Sequence, residues 1–266
     1  MMIFLLKIAV TPALVAAVSL AARRWGPGIG GILMGLPWFT GPTLYLLILD
    51  RGTEFGVAAT IGVLMGVAYV AAFILAYGCA ARYAGWRWCL TAAVAAFFAG
   101  AWATGDPALL ARFGSGPLAQ LAAAAAAAAA SLVVALALLP RPRMAALPQA
   151  LPWWDIPARM AATAALVAGL MAGADALGPR LAGVLSTFPV IVTVVGSFTH
   201  HRWGRDAVWR TLRGVTASLF GFILFFLVVG ATLPGFGLTG SYALASALAV
   251  AVTAGLAALD RRRRVA

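Results

Sequence analysis

Two short segments place prolines beside hydroxyl-bearing residues inside long apolar runs. Their members are Pro37, Thr40, Pro42, Thr43 and Tyr45, here called the first proline group, and Ser186, Thr187, Pro189, Thr193 and Ser197, the second proline group. Proline lacks an N–H group and collides with the carbonyl four residues earlier. Within continuous helices, Pro37, Pro42 and Pro189 would therefore free the carbonyls of Leu33, Trp38 and Leu185.

Freed carbonyls and hydroxyls in a membrane helix can hydrogen-bond a small polar solute. A bare carbonyl is tolerated at membrane depth only where it faces protein or a water-filled cavity. Paired Gly/Pro-interrupted spans are typical of transporter substrate sites, and the N-terminal ends of half-helices favour anions. We therefore predict that both proline groups bind the substrate. The alternative is that they are packing kinks, since Pro and Gly are frequent in membrane helices.

Composition defines the class of protein that must position these residues. The chain has 266 residues, of which 64% are apolar and 10% charged, whereas soluble domains are about 45–50% apolar and about 25% charged. A membrane helix needs roughly 20 predominantly apolar residues. The composition therefore excludes a cytosolic enzyme with its own globular core and predicts an all-α integral membrane protein.

Apolar runs divided at charged and Gly/Pro positions predict nine membrane helices. The spans lie near 3–22, 28–49, 56–78, 87–104, 117–139, 157–176, 180–200, 210–232 and 238–259. Nine crossings sort the 19 Lys and Arg residues into 15 on one side and 4 on the other. Because membrane proteins concentrate Lys and Arg in cytoplasmic loops, this bias predicts an outside N-terminus and a cytoplasmic C-terminus. The net charge of +12 therefore reports orientation rather than nucleic-acid binding.

An internal repeat is visible at a constant offset of 152 residues. The matched positions include Gly26 with Gly178, Pro37 with Pro189, Gly52 with Gly204, Gly62 with Gly214 and Gly78 with Gly230. Five crossings separate equivalent points, so the second copy enters the membrane from the opposite face. We predict a 4+1+4 inverted-topology repeat, with repeat 1 at 1–114, an Ala-rich linker helix and connector at 115–152, and repeat 2 at 153–266.

The ionisable residues predict no enzyme chemistry. All seven acidic residues fall at predicted span ends or in loops, so a proton relay at mid-membrane is not expected. His200 and His201 are expected in a solvated or headgroup-facing cytoplasmic loop, or in a basic vestibule that attracts anions. Cys79 and Cys89 have no metal-ligand spacing. We expect no catalytic residues, no metal site and no cofactor.

The sequence favours a secondary-type transporter of a small polar or anionic metabolite in a bacterial-type inner membrane. Its expected partners are the lipid bilayer and a small-molecule substrate, with no nucleic acid, and a homo-oligomer is compatible with the sequence. Three alternatives stay open. They are a channel or facilitator, a non-catalytic subunit of a larger complex, and an intramembrane enzyme, although the last would need a convergent catalytic cluster.

Overall fold

The computed structural model describes residues 2–38, 40–104, 114, 116–143, 152–177, 185 and 187–265. The regular elements in these ranges are all α-helices, as predicted. They are α1 (Met2–Trp25), α2 (Pro27–Met34), α3 (Thr40–Arg51), α4 (Thr53–Ala80), α5 (Trp86–Thr104), α6 (Pro117–Leu138), α7 (Asp155–Leu177) and α8 (Val190–Val265). Gly204 and Gly237 interrupt α8 with non-helical backbone angles, so we divide it into α8a (190–203), α8b (205–236) and α8c (238–265).

Within the described residues, four helical stretches are long and apolar enough to cross a membrane. They are Thr53–Ala80, Pro117–Leu138, Asp155–Gly173 and Val190–Ala249. Large apolar side chains such as Leu49, Trp88, Trp102 and Phe236 are also exposed on the outside of the bundle. A soluble monomer rarely presents such a surface, whereas lipid accommodates it. The chain is a multi-pass membrane protein.

The predicted second span, 28–49, is two helices rather than one. The helix α2 ends at Met34 and α3 begins at Thr40, with Pro37 in the break between them. Pro42 lies in the first turn of α3, where proline sacrifices no intrahelical hydrogen bond and its fixed φ suits the helix. The expectation that Pro42 lies inside a continuous helix is therefore wrong.

The predicted seventh span, 180–200, is described at residue 185 and from residue 187 onward. Residues 187–189 are non-helical, and α8a begins at Val190 directly after Pro189. The chain is thus interrupted beside both Pro37 and Pro189, which are 152 residues apart.

A glycine follows the helix after each interruption, and the two glycines share one backbone conformation. Gly52 joins α3 to α4 with φ 87° and ψ 177°, and Gly204 joins α8a to α8b with φ 79° and ψ −175°. Positive φ with extended ψ is essentially confined to glycine. The residue type at both joints is therefore dictated by the same turn.

The centre of the bundle is an antiparallel pair formed by α4 and α8b. Small residues bring the two helices close, with Gly56 beside Leu233, Thr60 beside Gly230, and Gly78 beside Leu212. The partner numbers fall in α8b as they rise in α4, so the two helices run in opposite directions. Without a hydrophobic driving force in lipid, such close backbone approach is a main source of helix association.

Contacts made by this pair are reciprocal under the 152-residue offset. Gly78 faces Leu212, and their equivalents Gly230 and Thr60 also face each other. Gly35 packs on Ser218, and the equivalents of these residues, Thr187 and Gly66, pack on each other as well. The interruption near Pro37 therefore packs on α8b, and the equivalent interruption near Pro189 packs on α4.

The alanine-rich helix α6 lies against both members of the central pair. Leu121, near its start, contacts Gly230, and Leu139, just beyond its end, contacts Gly78. Its terminal carbonyls are also partnered, because Arg213 Nη1 donates to Leu136 O at 3.0 Å and to Leu139 O at 3.1 Å. A cation at a helix C-terminus interacts favourably with the helix dipole. The helix therefore joins the halves through contacts at both of its ends.

The docking of α2 on α8b predicts different costs for two glycines on one short helix. A Cβ at Gly31 would collide with the backbone carbonyl of Thr211, whereas a Cβ at Gly28 meets nothing within 4 Å. We expect Gly31→Ala to lower the free energy of unfolding by about 1–3 kcal/mol and to lower the Tm in detergent, with Gly28→Ala as the matched control. Equal Tm values for the two variants would contradict this packing.

Candidate functional site

The two breaks are closed by the same backbone hydrogen bonds. Three hydrogen bonds are described in both breaks, and the donors and acceptors of one set lie 152 residues from those of the other. In the first break they are Leu36 N to Leu33 O (3.4 Å), Trp38 N to Leu36 O (2.9 Å) and Gly41 N to Pro37 O (3.1 Å). In the second they are Phe188 N to Leu185 O (3.2 Å), Val190 N to Phe188 O (2.8 Å) and Thr193 N to Pro189 O (2.9 Å).

These turns provide partners for the carbonyls that the prolines would otherwise leave bare. Leu33 O accepts a second hydrogen bond from Nε1 of Trp38 at 3.0 Å. Leu185 O accepts from Phe188 N. In this conformation, two of the three carbonyls that the sequence suggests as solute ligands, those of Leu33 and Leu185, are therefore bonded by the protein itself.

The first proline group lies along α3, which packs on α8c. The ring of Tyr45 meets that of Tyr242 edge-on at 5.0 Å, and its hydroxyl is 3.3 Å from Oγ1 of Thr239. Tyr242 in turn donates to Gly41 O at 3.0 Å. The side chain of Tyr45 therefore packs between α3 and α8c.

The remaining members of the first group differ in exposure. Pro37, Thr40 and Thr43 are half-buried, and Pro42 is exposed. The hydroxyl oxygen of Thr43 is itself buried and has no hydrogen-bond partner among the described atoms. Because a buried polar group without a partner costs free energy, Thr43 is the strongest candidate in this group for contact with a polar solute.

The second proline group faces α4. Pro189 is buried, and Thr187 packs directly on Gly66. Thr193 is 7% exposed, and its hydroxyl has no hydrogen-bond partner among the described atoms. Ser197 is buried beside the hydroxyl of Tyr77. Ser186 lies outside the described residues.

Aromatic side chains enclose the second break. The ring of Phe188 lies 6.1 Å from that of Phe73, 5.2 Å from that of Phe97 and 6.3 Å from that of Phe98. Phe73 and Phe97 are fully buried. Phe188 therefore packs the second break against an apolar wall contributed by α4 and α5.

The two proline groups pack against different helices. The first break contacts α8b through Gly35, and its proline group contacts α8c through Tyr45. The second break contacts α5 through Phe188, and its proline group contacts α4 through Thr187. Since α4 and α8b pack against each other, the breaks lie on the two members of one central pair. The contacts described do not join a residue of one proline group directly to a residue of the other.

The expected loop at His200 and His201 is wrong, because both residues lie in the last turn of α8a. Nδ1 of His200 is 3.3 Å from the Tyr77 hydroxyl, and the ring of His201 meets that of Trp86 at 6.0 Å. Both histidines therefore fasten α8a to neighbouring elements.

Sequence reasoning missed a buried charge cluster, which consists of Arg23, Asp155, Arg159 and Arg202. Asp155 begins α7, at a span end as expected, yet its side chain is 0% exposed. Oδ2 of Asp155 accepts from Nε of Arg159 at 2.8 Å and from Nη2 of Arg23 at 3.0 Å. Nε of Arg202 is 3.8 Å from Oδ1. The one available signal was the spacing of four between Asp155 and Arg159, which places them on one helix face.

Aromatic rings hold two of the guanidinium groups in the cluster. Arg159 lies over the ring of Phe198 at 5.1 Å, and Arg202 lies over that of Trp154 at 4.6 Å. A cation above an aromatic face is attracted by the ring quadrupole. The cluster therefore ties α1, α7 and α8a together at one end of the bundle.

The cluster predicts a large cost for removing its one carboxylate. Asp155→Asn would leave three guanidinium groups close together without their anion, and removal of one partner from a buried ion pair costs about 3–5 kcal/mol. We expect a sharp fall in Tm in detergent. Glu54→Gln, which removes the same charge from an exposed position in α4, is the control. A Tm for Asp155→Asn within experimental error of the control would refute the cluster.

The unpartnered hydroxyl of Thr193 predicts an opposite effect on stability. Thr193→Val keeps the side-chain shape and removes a buried hydroxyl that has no partner, so we expect the ligand-free protein to become more stable by about 1 kcal/mol. The comparison is Thr216→Val, because the buried hydroxyl of Thr216 donates to Leu212 O at 2.7 Å. Thermal unfolding of both variants tests this difference, and a fall in Tm for Thr193→Val would show that its hydroxyl is bonded.

No known family model matches the chain, and comparison with curated proteins and with solved structures finds no similar protein.

Proposed function

We propose that the protein is a secondary-type transporter of a small polar or anionic metabolite. Its nine membrane helices would form a 4+1+4 inverted-topology repeat, in which α6 is the central linker. The substrate would bind beside the two breaks. In secondary transporters, substrate sites lie at the interface of inverted repeats, on discontinuous helices, and access alternates as the halves rock against each other.

One observation carries the proposal, namely the reciprocal docking of two matched breaks on an antiparallel central pair. The helices α4 and α8b are 152-residue equivalents and run in opposite directions, which an inverted repeat requires. Gly35 on Ser218 and Thr187 on Gly66 are equivalent contacts, and the hydrogen bonds that close the breaks also correspond. A packing kink would require no such correspondence.

The charge cluster is consistent with the proposed sorting of the arginines between the two membrane faces. Arg23, Arg159 and Arg202 lie in three different helices, and the positive-inside rule assigns all three to the cytoplasmic side. Their convergence on Asp155 requires them to share one end of the bundle. This agrees with a multi-pass arrangement in an inner membrane with an outside N-terminus and a cytoplasmic C-terminus.

Within the site, hydroxyl groups rather than carbonyls would meet the solute. Thr43 and Thr193 have buried hydroxyls without partners, one near each break, whereas Leu33 O and Leu185 O are occupied. A buried polar group that lacks a partner gains most from a ligand that supplies one. A small solute with several hydrogen-bonding groups fits such a site.

A non-catalytic subunit of a larger complex is the alternative. The exposed aromatic residues Trp102 and Trp153 could face a protein partner as well as lipid interfaces. Purification of a stoichiometric partner together with the chain would favour this function.

Uptake into liposomes by the purified protein tests the proposal. A panel of small carboxylates and polar metabolites is first screened for thermal stabilisation, because ligands that bind the folded state raise its Tm. Those that stabilise the protein are then tested for saturable uptake. We expect Thr43→Val and Thr193→Val to raise KM by about two- to tenfold, the cost of one lost hydrogen bond.

The control is Thr91→Val, since Thr91 is exposed on α5 and bonds only its own helix at 3.0 Å. Normal uptake by both site variants would contradict the site. Failure of every solute in the panel to stabilise the protein and to enter liposomes would contradict the function.

A further inference from the structure

The buried charge cluster carries more positive than negative charge. Three guanidinium groups surround one carboxylate, and Asp155 is the only acidic residue paired with them among the described side chains. Arg159 is 1% exposed, so its charge is almost fully removed from water. Buried charges are costly unless paired and hydrogen-bonded. Among the described side chains, the cluster therefore has too little negative charge to balance its three guanidinium groups.

The cluster also has hydrogen-bond donors without acceptors, in addition to its excess positive charge. Nη2 of Arg159 and the Nε groups of Arg23 and Arg202 are buried and have no hydrogen-bond partner among the described atoms. The distance of 3.8 Å from Arg202 Nε to Asp155 is too long for a hydrogen bond. The unused N–H groups belong to all three arginines. Oδ1 of Asp155 is also without a hydrogen-bond partner, but one carboxylate oxygen, with two lone pairs, cannot accept from all three of these N–H groups.

The cluster is also accessible from water, and its guanidinium groups are held in fixed orientations. Arg23 and Arg202 are each 26% exposed, so the cluster is open to water on one side and closed at Arg159. The rings of Phe198 and Trp154 cover the faces of Arg159 and Arg202. Stacked guanidinium groups present their N–H edges, which suit the paired oxygens of phosphate and carboxylate.

We infer that Arg23, Arg159 and Arg202 form a binding site for an oxyanion, a phosphate or carboxylate group, with Asp155 holding the arginines in position. The bound group would accept from the unused N–H groups and neutralise the excess charge. Its source is either a small anion from the aqueous side or the phosphate of an anionic lipid headgroup. This site is separate from the two breaks, and the inference does not rest on the proposed transport function.

The test measures binding without transport. Delipidated protein in nonionic detergent is titrated with inorganic phosphate at constant ionic strength, and the Tm is followed. In parallel, the protein is placed in nanodiscs of phosphatidylcholine alone or of phosphatidylcholine with phosphatidylglycerol. Arg202→Gln, which alters a partly exposed side chain, is the main variant. Arg159→Gln is the second, and Arg87→Gln is the matched control, because Arg87 is exposed and stacks on Trp86 at 5.4 Å.

We expect a saturable rise in Tm for the wild type and for Arg87→Gln, and an apparent Kd at least about tenfold weaker in Arg202→Gln, the cost of one charged hydrogen bond. A response to free phosphate identifies a small anion as a ligand. A response confined to phosphatidylglycerol and lost in Arg202→Gln identifies the lipid headgroup. The inference is overturned if neither probe stabilises the wild type, or if Arg202→Gln and Arg159→Gln respond as the wild type does.

Discussion

The close antiparallel contact between α4 and α8b is the constraint on which the rest of the structure depends. A side chain at Gly56 in α4 would meet Leu233 of α8b, and one at Gly230 in α8b would meet Thr60 of α4. In lipid, where apolar surface gains nothing by leaving its solvent, helices hold together through packing of this kind. The two breaks and the linker helix α6 are all positioned by contacts to this pair.

A second constraint acts at the breaks, where the chain leaves the helix inside an apolar protein. Every backbone polar group at that depth must find a partner, and the same three hydrogen bonds supply one at Pro37 and at Pro189. The carbonyls of Leu33 and Leu185 are therefore bonded without a ligand, whereas the hydroxyls of Thr43 and Thr193 have no partner among the described atoms. This division separates groups that stabilise the fold from groups available to bind.

Much of the architecture follows from the sequence, because it depends on local chemistry. Apolar runs locate the helices, and the matched residues Pro37 and Pro189 mark the interruptions. The role of Pro42 was wrong because the helix restarts at Thr40, and a proline in a first turn has a different effect from one in a helix interior. His200 and His201 were expected in a loop because the apolar run of the predicted seventh span ends near residue 200, whereas the helix continues beyond them.

The charge cluster could not be predicted because its members come from helices far apart in the sequence. Arg23 and Asp155 are separated by 132 residues, and nothing in their local sequence indicates that they meet. Similarly, the partners of Tyr45 on α8c and of His200 on α4 depend on how the helices pack. Residue types therefore indicate where a site could lie. Tertiary contacts determine which of its polar side chains already have hydrogen-bond partners.

The central claim is that the two halves enter the membrane from opposite faces, and positions 53 and 205 test it directly. They are equivalent under the 152-residue offset, and both are exposed at the starts of α4 and α8b. With Cys79 and Cys89 replaced by serine, Thr53→Cys and Arg205→Cys are treated separately with a membrane-impermeant maleimide. Labelling of position 53 in intact cells, and of position 205 only after permeabilisation, is the predicted result. Labelling of both from the same side would contradict the inverted repeat.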